Sequence, residues 1–202
     1  MRIRGLYAIV DRVVCRGEDL IALAQDYLKG GAKIIQWRDK EAADFETARG
    51  IAELKRVYDF TFIVNDHIEL ARELRADGIH VGKDDPAVAE CRKILGPGKI
   101  IGYSSHALEE AIEAERQGAD YVAFGAVFPT PTKGPGHPVQ GLEKLRQVVQ
   151  SVQVPVVAIG GIGRANIKDV LATGVASVAM ISALAKVTHR VEETRYFSGL
   201  FI

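Results

Sequence analysis

Charge of one sign, paired cysteines and long hydrophobic runs are all scarce in this 202-residue chain, and each scarcity excludes a class of protein. With 26 Lys and Arg against 26 Asp and Glu, the formal net charge is zero. That removes the bulk attraction through which nucleic acids and anionic membranes are met. Cys15 and Cys91 lie far apart with no CxxC spacing, so neither a disulfide framework nor a zinc cluster is expected, and a reducing, cytoplasmic setting fits. The five histidines show neither HExxH nor HxH spacing, which argues further against zinc. The longest apolar stretches, such as Val154 to Ile159, are strand-length, far short of the ~20 residues that span a bilayer. The apolar run starting at Leu6 is too short for a secretory signal. What remains is one domain, residues 1–202.

Glycine, by contrast, is plentiful at 20 residues, and its placement exposes a repeat. Gly30-Gly31-Ala32-Lys33-Ile34-Ile35, Arg75-Ala76-Asp77-Gly78-Ile79-His80-Val81, Gln117-Gly118-Ala119-Asp120-Tyr121-Val122 and Thr173-Gly174-Val175-Ala176-Ser177-Val178 share one layout. Each reads as a helix C-terminus feeding a buried strand. Thr61–Val64, Lys99–Tyr103 and Val154–Ile159 supply intervening strands and Leu6–Val10 an opening one, eight in all. Helical periodicity fills the gaps, as in Leu20, Leu23, Ala24, Tyr27 and Leu28, in Leu108, Ala111, Ile112 and Ala114, and in Ile167, Val170 and Leu171. Strands apolar on both faces and alternating with helices imply a parallel sheet. A single-domain (β/α)8 TIM barrel is expected, the alternative being a doubly wound open sheet; the even repeat favours the barrel. The stretch 125–141 after strand 6 makes one interval longer than the others and holds four of the seven prolines. It is therefore expected to be a long loop on the face where barrels carry out chemistry.

The strand ends carry the polar residues. Alternation turns Gln36, Arg38 and Lys40 the same way after strand 2, and two cations there suit a diphosphate, or else form a solvated basic end paired with Asp39 and Glu41. Asn65-Asp66 follows strand 3 and Asp84-Asp85 follows strand 4. Asp66 and Asp85 either supply the two carboxylates that Mg²⁺ takes beside phosphate oxygens, or cap the helices after them. Ser104 and Ser105 follow strand 5, as helix caps or as anion ligands. Gly160-Gly161 follows strand 7 and opens a helix near Arg164 or Ala165, and Ile181-Ser182 follows strand 8, the positions where barrels often bind phosphate. His67, His80 and His106 read as packed or capping residues.

In order along the chain, Leu6-Tyr7-Ala8-Ile9-Val10-Asp11, Gln36-Trp37-Arg38-Asp39-Lys40, Val64-Asn65-Asp66, Ala76-Asp77-Gly78-Ile79-His80-Val81-Gly82 with Asp84-Asp85, Gly102-Tyr103-Ser104-Ser105-His106, Phe128-Pro129-Thr130-Pro131-Thr132-Lys133, Gln140-Gly141-Leu142, Ala158-Ile159-Gly160-Gly161-Ile162 and Met180-Ile181-Ser182-Ala183 resemble the thiamine phosphate synthase family. The resemblance runs from Leu6 to about Ala183. It implies a barrel enzyme with two small-molecule substrates, joining hydroxymethylpyrimidine diphosphate to a thiazole phosphate, or its carboxylated form, and releasing pyrophosphate. By resemblance Gln36, Arg38, Lys40, Asn65 and Lys133 hold the pyrimidine diphosphate, Asp66 and Asp85 hold Mg²⁺, and Ser104 lies against the leaving group. Thr130, Thr132, Gly161, Ile181 and Ser182 hold the thiazole phosphate. Arg38, Lys40, Ser104 and Lys133 are then the catalytic set, and the loop up to Gln140 is expected to act as a lid.

Three positions depart from the family pattern: Lys83 replaces a usual Gln, Ala126 a frequent Pro, and Trp37 a smaller apolar residue. The related thiazole tautomerase carries a His after strand 6, where this chain reads Gly125-Ala126-Val127-Phe128-Pro129-Thr130. A non-catalytic phosphate-binding barrel is the second alternative, and it has no need of the two acids. The sequence leaves open whether the chain is a monomer or a homo-oligomer, and whether the apolar tail from Tyr196 packs under the barrel or meets a partner.

Overall fold

A computed structural model describes residues 3–40, 44–130 and 138–201. Strands and helices alternate: β1 (Gly5–Asp11), α1 (Leu20–Lys29), β2 (Ile34–Arg38), α2 (Phe45–Glu53), β3 (Thr61–Asn65), α3 (Ile68–Glu73), β4 (Gly78–Val81), α4 (Val88–Leu95), β5 (Ile100–Ser105), α5 (Leu108–Arg116), β6 (Tyr121–Phe124), α6 (Gly141–Ser151), β7 (Val156–Ile159), α7 (Ile167–Leu171), β8 (Ser177–Met180), α8 (Ser182–Ala185) and α9 (Arg190–Ser198). Each strand pairs in parallel with the next, and β8 closes onto β1 with Leu6 opposite Val178. The result is the expected (β/α)8 barrel, not the open sheet.

Strand alternation divides the apolar residues into two layers. Leu6, Ala8 and Val10 of β1, with Ile35, Trp37, Phe62, Val64, Val122 and Phe124, face the helices and form the larger core. Tyr7, Ile9, Ile34, Ile63, Ile100, Tyr121, Ala123, Val157 and Ala179 fill the bore. Helix α1 buries the expected stripe of Leu23, Ala24, Tyr27 and Leu28, and Asp19 caps it by accepting from the Ile21 and Ala22 amides.

The four joints of the repeat share a backbone feature. Just before the strand-entering residue, Gly31, Arg75, Gly118 and Gly174 all have positive φ, at 94°, 52°, 92° and 90°. This left-handed step lets a helix end and a strand begin with four or five residues between them, and three joints use glycine because it lacks the Cβ that resists it. Asp77 and Asp120 follow two of these steps. Each accepts the amide opening the preceding strand, Phe62 N and Ile101 N respectively, both at 2.7 Å.

Several boundaries differ from expectation. β7 starts at Val156, not Val154, because Pro155 has no N–H to give the ladder. β5 runs on through Ser104 and Ser105, which pair with Ala123 and Phe124. α7 starts at Ile167, beyond Arg164 and Ala165, because Asn166 folds back to accept the Gly163 amide at 2.8 Å. Ile112 is 43% exposed despite its place in the apolar pattern. The C-terminal segment packs on this same chain: Phe197 of α9 is fully buried, with Tyr196, Leu200 and Phe201 against the core. Cys15 and Cys91 are both buried and form no disulfide. Among the described residues no helix is long and apolar enough to cross a membrane.

Candidate active site

The strand ends meet at one mouth. In β2, alternation sends Ile34, Gln36 and Arg38 to the bore and Trp37 outward, where its Nε1 is buried without a hydrogen-bond partner. Gln36, Arg38 and Lys40 line one open cavity of about 1230 Å³ together with Asn65, Asp66, His80, Lys83, Asp84, Asp85 and Ser104. Its apolar wall comes from Ile9, Ala123, Val157, Ile159 and Ala179.

Arg38 and Lys40 are both tethered. Arg38 pairs with Asp11, its neighbour across the β1–β2 ladder, and Asp11 also caps the turn beyond it by accepting from Val13 N and Val14 N. Lys40 pairs with Asp66. The alternative reading of this strand end paired these cations with Asp39 and Glu41. Asp39 is fully buried and holds Arg12 and the Asp44 amide, because one residue of alternation turns it away from Arg38 and Lys40. Glu41 lies outside the described residues.

Asp66 has φ of 61°, a left-handed conformation for a side chain that carries a Cβ. His67 N closes the turn onto Asn65 O at 2.7 Å, and Asp66 N donates to His80 O at 2.9 Å. Such strain costs about 1–3 kcal/mol and collects at functional sites. Here it turns the Asp66 carboxyl to within hydrogen-bonding reach of Asp85, while Asp85 accepts from Gly82 N at 2.8 Å. Burial holds the Asp66 carboxyl above the usual carboxylate range; Lys40 opposes this and Asp85 adds to it. Neither acid is a helix cap: α3 is capped at His67 and α4 at Ala87. Among the described residues no three His, Cys, Asp or Glu side chains gather as a metal site. Asp66 and Asp85 are two carboxylates that could hold a divalent ion here, with water and ligand oxygens completing its shell.

Ser104 points into the cavity from within β5, 2.8 Å from His80 Nε2. Its hydroxyl does not cap α5; that helix starts after Ala107, and His106 N is met by Glu110 instead. Ser105 faces the other way and donates to Ala123 O. Asn65 is 5% exposed, and its Nδ2 has no hydrogen-bond partner among the described residues. It is a donor that a ligand oxygen can satisfy.

A second, smaller cavity of about 480 Å³ adjoins the first and shares Ile159, Ala179 and Ile181 with it. Thr130, Gly160, Gly161 and Ser182 line it. Gly160 and Gly161 have φ of 100° and 66°, and a Cβ would lie 2.6 Å from Ala126 Cα at the first and 2.5 Å from Pro129 O at the second. Only glycine lets the turns after β7 and β6 lie together. Thr132, Lys133 and the central part of the loop, 131–137, lie outside the described residues.

His80 and Tyr7 line the main cavity although sequence reasoning gave neither a role. The signal was the two-residue alternation that places His80 beside Asn65 and Tyr7 beside Ile9 on the bore. A family model described as thiamine monophosphate synthase matches residues 6–184. Thiamine-phosphate synthase of Shouchella clausii strain KSM-K16 is 43% identical over 182 residues, covering 89% of this chain and 87% of its own. That of Persephonella marina is 43% identical over 199 residues, covering 97% and 95%. The solved structure of thiamine phosphate pyrophosphorylase from Pyrococcus furiosus superposes with a TM-score of 0.89 at 39% identity, covering 99% of this chain and 96% of that one.

Proposed function

Because the chain belongs to the thiamine monophosphate synthase family, we propose that its barrel mouth transfers the hydroxymethylpyrimidine group from its diphosphate to the nitrogen of a thiazole phosphate, or of the carboxylated form. The enzyme is a transferase of the thiamine-phosphate synthase type. The observation that carries the site assignment is the meeting of Gln36, Arg38, Lys40, Asn65, Asp66, Asp85 and Ser104 around one cavity, next to the smaller one lined by Thr130, Gly161, Ile181 and Ser182.

In the reaction the bond between the pyrimidine CH₂ and the diphosphate oxygen breaks, and its electron pair leaves with pyrophosphate. The electron-rich aminopyrimidine spreads the positive charge left on the CH₂ carbon, and the thiazole nitrogen lone pair forms the new C–N bond. The protein therefore needs no covalent nucleophile. Arg38, Lys40 and Lys133 neutralise the leaving group, Asn65 Nδ2 gains its missing acceptor, and Ser104 donates to the diphosphate. The apolar wall keeps water from the cationic carbon. Thiazole phosphate lies across the Gly160–Gly161 turn, where backbone N–H groups can approach it. Asp66 and Asp85 fit Mg²⁺ as a pair of hard oxygen donors. Bound there, the ion would offset the charge of the departing diphosphate.

The barrel mouth has no histidine between Gly125 and Thr130, which argues against a tautomerase. Purified protein supplied with Mg²⁺ and both substrates is expected to release pyrophosphate and to lose that activity on chelation. In a parallel assay it should not isomerise the thiazole carboxylate phosphate. A folded protein releasing no pyrophosphate would overturn the assignment.

A further inference from the structure

A continuous hydrogen-bonded chain crosses the bore beneath the mouth. Gln36 Nε2 of β2 donates to the Tyr7 hydroxyl of β1 at 2.8 Å. The Tyr7 and Tyr121 hydroxyls of β1 and β6 are 2.9 Å apart. Tyr121 Oη is 2.9 Å from His80 Nδ1 of β4, and His80 Nε2 is 2.8 Å from Ser104 Oγ of β5. The packing holds it in place. The Tyr121 ring stacks on the His80 ring at 5.5 Å and 21°, and it occupies space that Gly102 leaves open, since a Cβ there would lie 2.0 Å from Tyr121 Cζ. Burial raises the pKa of both phenols far above the ordinary tyrosine value, so each keeps one proton to donate.

The polarity of the chain follows from counting donors. Tyr7 accepts from the Gln36 amide, so its own hydrogen has Tyr121 as acceptor; reversing that bond would strand a buried hydroxyl hydrogen. Tyr121 then donates to His80 Nδ1, which leaves the ring N–H on Nε2, facing Ser104 Oγ. With that oxygen already accepting, the Ser104 hydrogen is free to turn into the cavity.

We propose that His80, held in its Nε2–H form by the Tyr7–Tyr121 pair, is a positioning residue that sets Ser104 as a hydrogen-bond donor toward the leaving diphosphate. The inference rests on the reading of the site given above. It joins Gln36 to Ser104 through Tyr7, Tyr121 and His80.

Nitrogen-15 NMR of histidine-labelled protein is expected to find His80 protonated on Nε2, and Tyr121→Phe, which removes one oxygen, should abolish that preference. In steady-state kinetics His80→Phe should lower kcat about 10- to 100-fold, the equivalent of one hydrogen bond to a charged group, with KM for the pyrimidine diphosphate little changed. The His80→Phe/Ser104→Ala double variant should be no slower than Ser104→Ala, and His80→Gln, which keeps an N–H, should recover most of the rate. Losses that multiply in the double variant, or a His80 protonated on Nδ1, would overturn the chain. A wild-type protein with no pyrophosphate release would instead overturn the reading of the site, since the tautomer is read without substrate.

Discussion

At the scale of single residues, two side-chain-bearing positions adopt left-handed backbone, for opposite purposes. Asp66 does so at the mouth, where the turn directs its carboxyl toward Asp85 and Lys40. Arg75 does so at the opposite end, at a joint where the three equivalent residues are glycine. Nothing in the mouth needs the Arg75 side chain, so Arg75→Gly should remove the conformational cost. Allowing for glycine's greater freedom when unfolded, the gain should be about 0.5–1 kcal/mol. A urea titration should show a higher midpoint at unchanged slope, and a lower midpoint would mean that the side chain contributes more than its backbone strain costs.

At the scale of elements, each βα unit is closed from below by its joint. Asp120 accepts the Ile101 amide at 2.7 Å, and Arg92 of α4 reaches it at 2.5 Å while also donating to Lys99 O and Gly118 O. One carboxylate thus ties the start of β5 to the start of β6 and to a helix. Asp120→Ala leaves a strand-opening amide and a guanidinium without their acceptor, and should lower stability by about 1–3 kcal/mol. Thermal unfolding reads this directly, while kcat for pyrophosphate release should stay within a factor of two of wild type. Helix α9 closes the barrel differently, by burying Phe197 against the main core. Phe197→Ala should cost about 3–5 kcal/mol, seen as a large drop in the urea midpoint; a drop below 1 kcal/mol would mean the C-terminal helix is dispensable.

At the scale of the molecule, the two ends of the barrel carry separate tasks. The joints hold glycine turns and carboxylates that bond to backbone, whereas the mouth holds a strained aspartate, an unpartnered Asn65 amide and tethered cations. Asp66→Ala and Asp85→Ala should therefore each reduce pyrophosphate release by about 10²-fold or more, as loss of a transition-state charge contact does, in a protein that still folds. Normal turnover in either variant would remove that acid from the reaction.

Much of this architecture was legible in the chain. A period of two in short apolar runs and a repeated joint ending in glycine are local properties, set by backbone sterics and side-chain alternation, and they were enough for eight strands, a closed barrel and the residues of its mouth. What sequence could not decide depended on partners from other strands. Ser104 read equally well as a helix cap until pairing with β6 extended β5 through it. Asp66 read as a metal ligand or as a cap until its turn brought it to Lys40 and Asp85. His80 read as a packed residue because its partners Ser104 and Tyr121 come from β5 and β6. Sequence determined which face each side chain takes, because alternation is a property of one strand. Only the closed barrel decided which polar groups share a hydrogen or a charge, because that depends on the distance across a bore which no single strand encloses.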